Sequence, residues 1–261
     1  MTNTGKILCA ALFGSVAFAG AAKAEMIVGL SGDKTLTTFD SKTLKTGKKV
    51  SIKGVNGRVV GIDMRPSDGQ LYAVTVDGTV YTVDVGTGQA TLKVKLEKML
   101  PANTKPTVDF NPAADRLRLM GADGTSLRAN LEDGKVTVDG SHKYADADKA
   151  AGKKPNVIAG AYSNSVKGTK ETTLYNIDGT LGTFLKQAPP NDGVLGTLGA
   201  TGIKAQSLAF DISTDAAGKN TGFAVTGSTL YTVDIASGAS TRVGKVAGLS
   251  ASVRDIAVIA P

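Results

Sequence analysis

A unit of four short strands recurs about every 48 residues, nearly every unit marks one strand with an aspartate, and the leftover residues at the two ends make one further unit. Together these features predict an all-β chain folded as a five-bladed β-propeller, four antiparallel strands per blade, closed by the C-terminal strand joining the N-terminal blade. The marked strand recurs at Asp63, Asp109, Asp211 and Asp255, and a fifth copy, residues 158–162, carries Ala161 where the others have the acid. Successive positions lie 46, 52, 50 and 44 residues apart.

A tight turn leads from the marked strand to a second one, 70–74 after the turn 66–69 and 116–119 after the turn 112–115. A third strand ends in a turn with Asp or Asn four residues before Gly: Asp84 before Gly88, Asn130 before Gly134, Asp234 before Gly238. A short Asx side chain bonding its own backbone, with Gly accepting positive φ, suits such a turn. Fourth strands follow at 90–96 and 240–244. From residue 25 to Asp63 is 39 residues and 6 more follow Asp255, so the ends together supply one blade's length of 45. Strand 253–259 then becomes the innermost strand of a blade whose others come from 26–31, 35–40 and 49–53, which leaves no open sheet edge at the closure. The best helix candidate, 145–153, reads as a surface turn.

The chain has 261 residues with 41% hydrophobic and 20% charged, enough to bury a sizeable core. Residues 1–24 read as a signal peptide: Lys6, an apolar stretch over 7–19, and a small-residue exit at Ala22 and Ala24. A ring over 25–261, exported to the periplasm or beyond the cell, is the expectation. Cys9 lies inside the leader, so the mature chain has no thiol for a disulfide, a thiolate metal site or a nucleophile. It keeps 28 basic and 23 acidic residues, net +5, with lysines scattered and no basic stripe interleaved with aromatics, which argues against nucleic acid. No later segment approaches the ~18 uninterrupted apolar residues of a membrane helix, so no membrane insertion is expected after cleavage.

The strings Gly-Ile-Asp-Met-Arg-Pro (61–66), Val-Asp-Phe-Asn-Pro-Ala-Ala-Asp-Arg-Leu-Arg (108–118), Val-Thr-Val-Asp-Gly (136–140), Pro-Pro-Asn-Asp-Gly (189–193) and Leu-Tyr-Thr-Val-Asp (230–234) resemble a family of secreted bacterial proteins. That family is catalogued as a domain of unknown function with propeller-like repeats. The resemblance covers essentially all of 26–259. It implies the fold and no chemistry, and Ala161 departs from its pattern.

Three groups of residues are candidates for a site. Were Asp63, Asp109, Asp211 and Asp255 to face the axis, pairs ~6 Å apart would repel by roughly 3 kcal/mol at an effective dielectric near 20, and calcium would be the natural compensation. Were they to point between blades, they would accept neighbouring backbone amides and brace the ring. Arg118 falls in the register that Tyr72 and Tyr175 occupy in other blades, and Arg116 shares its face at period two. Arg128, by turn alignment, has the opposite phase. An ion pair with Asp109 or Asp123 competes here with a site for a small anionic ligand, which the planar guanidinium fork suits. Asn164 and Asn191 could line a face of the ring, 189–193 reads as a rigid turn, and His142 as a solvated loop residue.

A glycosidase-like enzyme needs two flanking carboxylates, one held protonated. The four mature glutamates, Glu25, Glu97, Glu132 and Glu171, all fall in termini or loops, and aromatics for sugar stacking are few. The expected function is therefore binding or scaffolding of a protein or small anionic ligand, without a resident cofactor. Metal-dependent hydrolysis, or a glycosidase-like reaction on an Asp–Asp pair, using the inner-strand aspartates is the alternative.

Overall fold

The computed structural model describes Met1 and residues 24–205 and 207–259; of the leader read over 1–24, residues 2–23 lie outside the described residues. Strands β1 (Met26–Ser31), β2 (Thr35–Asp40) and β3 (Thr46–Ser51) open the chain. The first blade follows as β4 (Val59–Arg65), β5 (Gln70–Thr75), β6 (Thr79–Val83) and β7 (Ala90–Lys95). The second is β8 (Pro106–Asn111), β9 (Arg116–Gly121), β10 (Ser126–Ala129) and β11 (Val136–Val138). After β12 (Lys143–Tyr144) the third runs β13 (Val157–Tyr162), β14 (Leu174–Asp178), β15 (Thr183–Gln187) and β16 (Val194–Ala200). The fourth is β17 (Ala209–Thr214), β18 (Asn220–Thr226), β19 (Thr229–Val233) and β20 (Ser240–Lys245). Finally β21 (Val253–Ile259) returns to pair antiparallel with β1, completing a seam blade in the order β21-β1-β2-β3.

The protein is a five-bladed β-propeller. Inner strands β4, β8, β13, β17 and β21 each pack beside the next, and β21 packs beside β4, so the ring is closed. Four sheets have four strands; the third gains β12 as a fifth, parallel to β16. The only helix among the described residues is a 3-10 turn at Pro190–Asp192, and 145–153 is indeed a series of turns. Sequence reading misplaced the seam blade's outer strand at 49–53. It runs from Thr46 to Ser51 because Thr46 already pairs with Phe39 across a bulge.

All five blades use the same Asx turn, two more than sequence inspection found: it follows the third strand in four of them, and in the third blade it joins the second strand β14 to β15. Asp84 Oδ1 accepts the Thr87 amide at 2.6 Å while the Gly88 amide donates to the Asp84 carbonyl. Asp178 and Gly182 repeat this geometry in the third blade, and Asp40 and Leu44 in the seam blade. At Gly88, φ is 75° and an added Cβ would lie 2.3 Å from the Ser51 carbonyl oxygen, so both the conformation and the close approach of the seam blade require glycine.

The core consists of the wedges between blades. Thirteen buried residues, among them Tyr72, Val74, Phe110 and Leu119, fill the wedge between the first and second blades. Comparable apolar wedges hold Leu30 with Ile62, Phe39 with Val258, and Phe184 with Phe210. Between the second and third blades the apolar cluster shrinks to Met120, Tyr162 and Leu174.

Candidate functional site

The inner strands bring four carboxyl groups to the axis. Asp63 Oδ1 accepts the amide of Met64 on its own strand at 2.7 Å, and Oδ2 accepts that of Phe110 on the next blade at 2.6 Å. Asp211 does the same with Ile212 and Val258, both at 2.6 Å, and Asp255 with Ile256 at 3.0 Å and Ile62 at 2.8 Å. Asp109 accepts the Tyr162 amide at 2.9 Å. The aspartates therefore brace one blade to the next, and Ala161 leaves the third blade unable to reach the fourth in this way.

These bonds do not turn the carboxyl groups away from one another. One oxygen each from Asp63, Asp109 and Asp211 lies within 4.8 Å of the others, and all three side chains are buried. Burial pushes Asp63, Asp109 and Asp255 well above the usual carboxyl range, with repulsion from neighbouring acids adding to it; burial raises Asp211 to about 6. Above the cluster, at the C-terminal ends of the inner strands, opens a funnel of about 470 Å³. Asp63 and Asp211 line it together with the apolar side chains of Met64, Val166, Ile212, Val258 and Ile259. Part of its wall comes from Ser165, Val166 and Lys167. They belong to the 163–173 connection of the third blade, which leans on the fourth through the Ser165 amide donating to Thr214 Oγ1 at 2.9 Å.

The arginine readings need correction. Arg118 does stand in the register of Tyr72 and Tyr175: it pairs with Asp109 as Tyr72 does with Asp63 and Tyr175 with Ala161. Its ion-pair partner, however, is neither Asp109 nor Asp123 but Asp139, which Nη1 reaches together with Ser126 Oγ at 3.0 Å. Its Nε donates to the Tyr162 hydroxyl at 3.1 Å and Nη2 to Asn191 Oδ1 at 2.8 Å. Arg128 lies directly across from Arg118 in the β9–β10 register, hence on the same face, and grips Asp139 with Nε at 2.7 Å and Nη2 at 3.0 Å. The turn alignment misjudged its phase. Arg116 stays apart, donating to the carbonyls of Ala114 and Asp115 in its own turn. Arg118 is 1% exposed with four of its five N–H donors spent on Asp139, Ser126, Tyr162 and Asn191, so this set is an inter-blade brace and offers an anion no open fork.

His142 is not solvated. It is 7% exposed, both ring nitrogens lack a partner, and burial, with the Arg118 charge nearby, lowers its pKa to about 4. Asn164, with φ of 56°, exchanges hydrogen bonds with Asn220: its amide donates to Asn220 Oδ1 at 2.8 Å and Asn220 Nδ2 donates to Asn164 Oδ1 at 2.7 Å. It thus ties the third blade to the fourth beside the funnel and touches a second cleft of about 430 Å³. Sequence reasoning missed Arg65, which meets both oxygens of Asp115 with Nε at 2.8 Å and Nη2 at 2.6 Å across the first and second blades. It missed Asp139 as well, although the Val-Thr-Val-Asp-Gly string was in view; an acid just past a short outer strand gives no local sign that it will be buried.

A family described as a domain of unknown function (DUF4394) matches residues 35–257. No curated protein matches the sequence. Among solved structures, a structural genomics protein of unknown function from Bacteroides thetaiotaomicron VPI-5482 is similar with a TM-score of 0.53 and 16% identity, over 92% of this chain and 68% of that one. A protein of unknown function from Bacteroides caccae gives 0.47 and 11%, over 85% and 73%. An auxiliary nutrient binding protein from Bacteroides thetaiotaomicron VPI-5482 gives 0.45 and 14%, over 76% and 56%. At these identities the likeness speaks to the fold alone.

Proposed function

The chain belongs to the DUF4394 family, and from that premise we propose that it is an exported binding protein whose axial funnel takes a positively charged ligand, a divalent cation such as calcium being the smallest. The observation that carries this reading is the meeting of Asp63, Asp109 and Asp211 oxygens within 4.8 Å, with Asp63 and Asp211 lining an open funnel. Calcium–oxygen distances of roughly 2.3–2.6 Å would let one ion touch all three. Each carboxylate oxygen has a second lone pair, so the amides it already accepts do not preclude a ligand. A cation would also offset the repulsion that adds to burial in raising Asp63 and Asp109. The pull toward an anionic ligand falls away once Arg118 and Arg128 are spent on Asp139. Export rests on the leader's charge, apolar stretch and small-residue exit.

Isothermal titration of the protein with calcium chloride and, separately, magnesium chloride at pH 7.5 tests this reading. We expect one calcium site and a Tm that rises with calcium concentration, both lost in Asp211→Asn. Absence of heat and of a Tm shift with either ion would defeat the cation reading.

A further inference from the structure

Charge is distributed unevenly around the ring. Residues 63–200, most of the first three blades, carry sixteen basic and sixteen acidic side chains; residues 25–62, nearly all of the seam blade's share of the N-terminal chain, carry seven basic and three acidic. Ion pairs follow the same division. Among the described residues all of them fall between Arg65 and Asp139, in the first and second blades and the turns that follow them. None closes on Lys45, Lys48, Lys49, Lys53, Arg242 or Lys245, all of them exposed. Of the three acids in 25–62, Glu25 is buried and Asp40 caps the amides of Lys42 and Thr43.

These six cations form one arc along the rim. Lys48 and Lys49 lie on β3, the seam blade's outer strand, and Arg242 and Lys245 on β20, the outer strand of the fourth blade. The two are joined where Lys45 makes a parallel bridge with Ala247 and where the Leu44 side chain lies against Gly244. Lys53 continues the arc toward the first blade through its bridge with Gln89. Lysines on an outer strand guard against edge-to-edge pairing, but β7 shows that guarding needs no charge excess. Its Lys93 and Lys95 pair with Glu132 and Asp77. Along β3 and β20, among the described residues, the one offset that reaches these cations is the charge of Asp84 near Lys48, and it closes no ion pair.

We propose that this rim is a docking surface for a flexible acidic polysaccharide. Lysine supplies mobile point charges suited to tracking a chain of carboxylates or sulfates and not to gripping one group. On the two strands only Val243 is a large exposed apolar side chain, so nothing there would insert into a bilayer. A flat bilayer also meets a convex rim along a single line, whereas a chain follows it.

The test is binding of heparin and of polygalacturonate, as sulfated and carboxylated probes, at 50 and 200 mM sodium chloride, with phosphatidylglycerol vesicles as a further arm. We expect binding to at least one polysaccharide that weakens ~10-fold or more between the two salts, as counterion release dictates. The variant Lys45→Glu/Lys48→Glu/Lys49→Glu should weaken it by ~10-fold, and Lys149→Glu/Lys153→Glu/Lys154→Glu, with the same change of net charge, by less than ~2-fold. Melting curves confirm that both variants fold. Equal losses in the two variants would reduce the effect to net charge and overturn the proposal. So would no polysaccharide binding by the parent at 50 mM salt, or seam-dependent binding to the vesicles alone.

Discussion

At the boundary between the first and second blades, Tyr72 stands opposite Asp63 and packs edge-on against Phe110, ring centroids 5.2 Å apart, at the head of a thirteen-residue apolar wedge. At the next boundary Arg118 stands opposite Asp109 and donates to the Tyr162 hydroxyl, and the wedge behind it is Asp139, Asn191, Ser126 and His142 with few apolar neighbours. Strand register and the aspartate brace are alike at the two places. The comparison teaches that the backbone repeat fixes where a wedge is needed and leaves open what fills it. An apolar wedge tolerates imperfect matching, whereas a polar wedge is sound only when every member finds a partner. His142 does not find one, and two other unpartnered buried atoms, Asn176 Oδ1 and Thr183 Oγ1, also belong to the third blade.

Making the second boundary like the first should have the largest effect. Arg118→Tyr restores the residue of the first blade but leaves Asp139 buried with only the partly exposed Arg128, and we expect a loss of about 3 kcal/mol in urea unfolding. A loss below ~1 kcal/mol would mean that the two boundaries are interchangeable after all. Asp63→Ala removes the brace from the apolar boundary and strands the Met64 and Phe110 amides, for about 2 kcal/mol. An unchanged melting curve would show that the apolar wedge alone holds those blades.

The smallest expected effect is on pH. The four axial aspartates have folded pKa values above the unfolded value near 3.8, so the folded state binds more protons, and their contribution is full below that value and lost as pH rises through the folded values, about 6 for Asp211. His142, lowered to about 4, opposes this below pH 6.5, one imidazole against four carboxyl groups. Between pH 8 and pH 5.5 the aspartates prevail, and Tm should rise on acidification by about 3 °C in calcium-free buffer. A Tm that falls over that window would mean that the acids are ionised and compensated.

Much of the fold was legible. A repeated aspartate, Asx turns at fixed offset and end lengths that sum to one blade are local signals with a geometric reading, and β21 on β1 follows from them. The brace was legible as one of two arrangements, and the structure combines both: Asp63 bonds outward to Phe110 while its carboxyl group still meets Asp109 and Asp211. What was hidden depends on distant partners. Arg118 was recognisable as out of place, but Asp139 and Asn191, brought to it by two different loops, were not; the same holds for His142, which looked like a loop residue because nothing in its neighbourhood announces the blade that covers it.

The seam has a consequence for how the molecule is made. Strands β1–β3 emerge early, yet their inner neighbour β21 comes from the far end of the described chain, so the circle is sealed by a pairing that spans almost every residue between. Such a long loop is slow to close, and nothing sealed late rewards the cost beforehand. A chain delivered from its N-terminus therefore cannot lock its ring early: the circle stays open until the closing segment arrives.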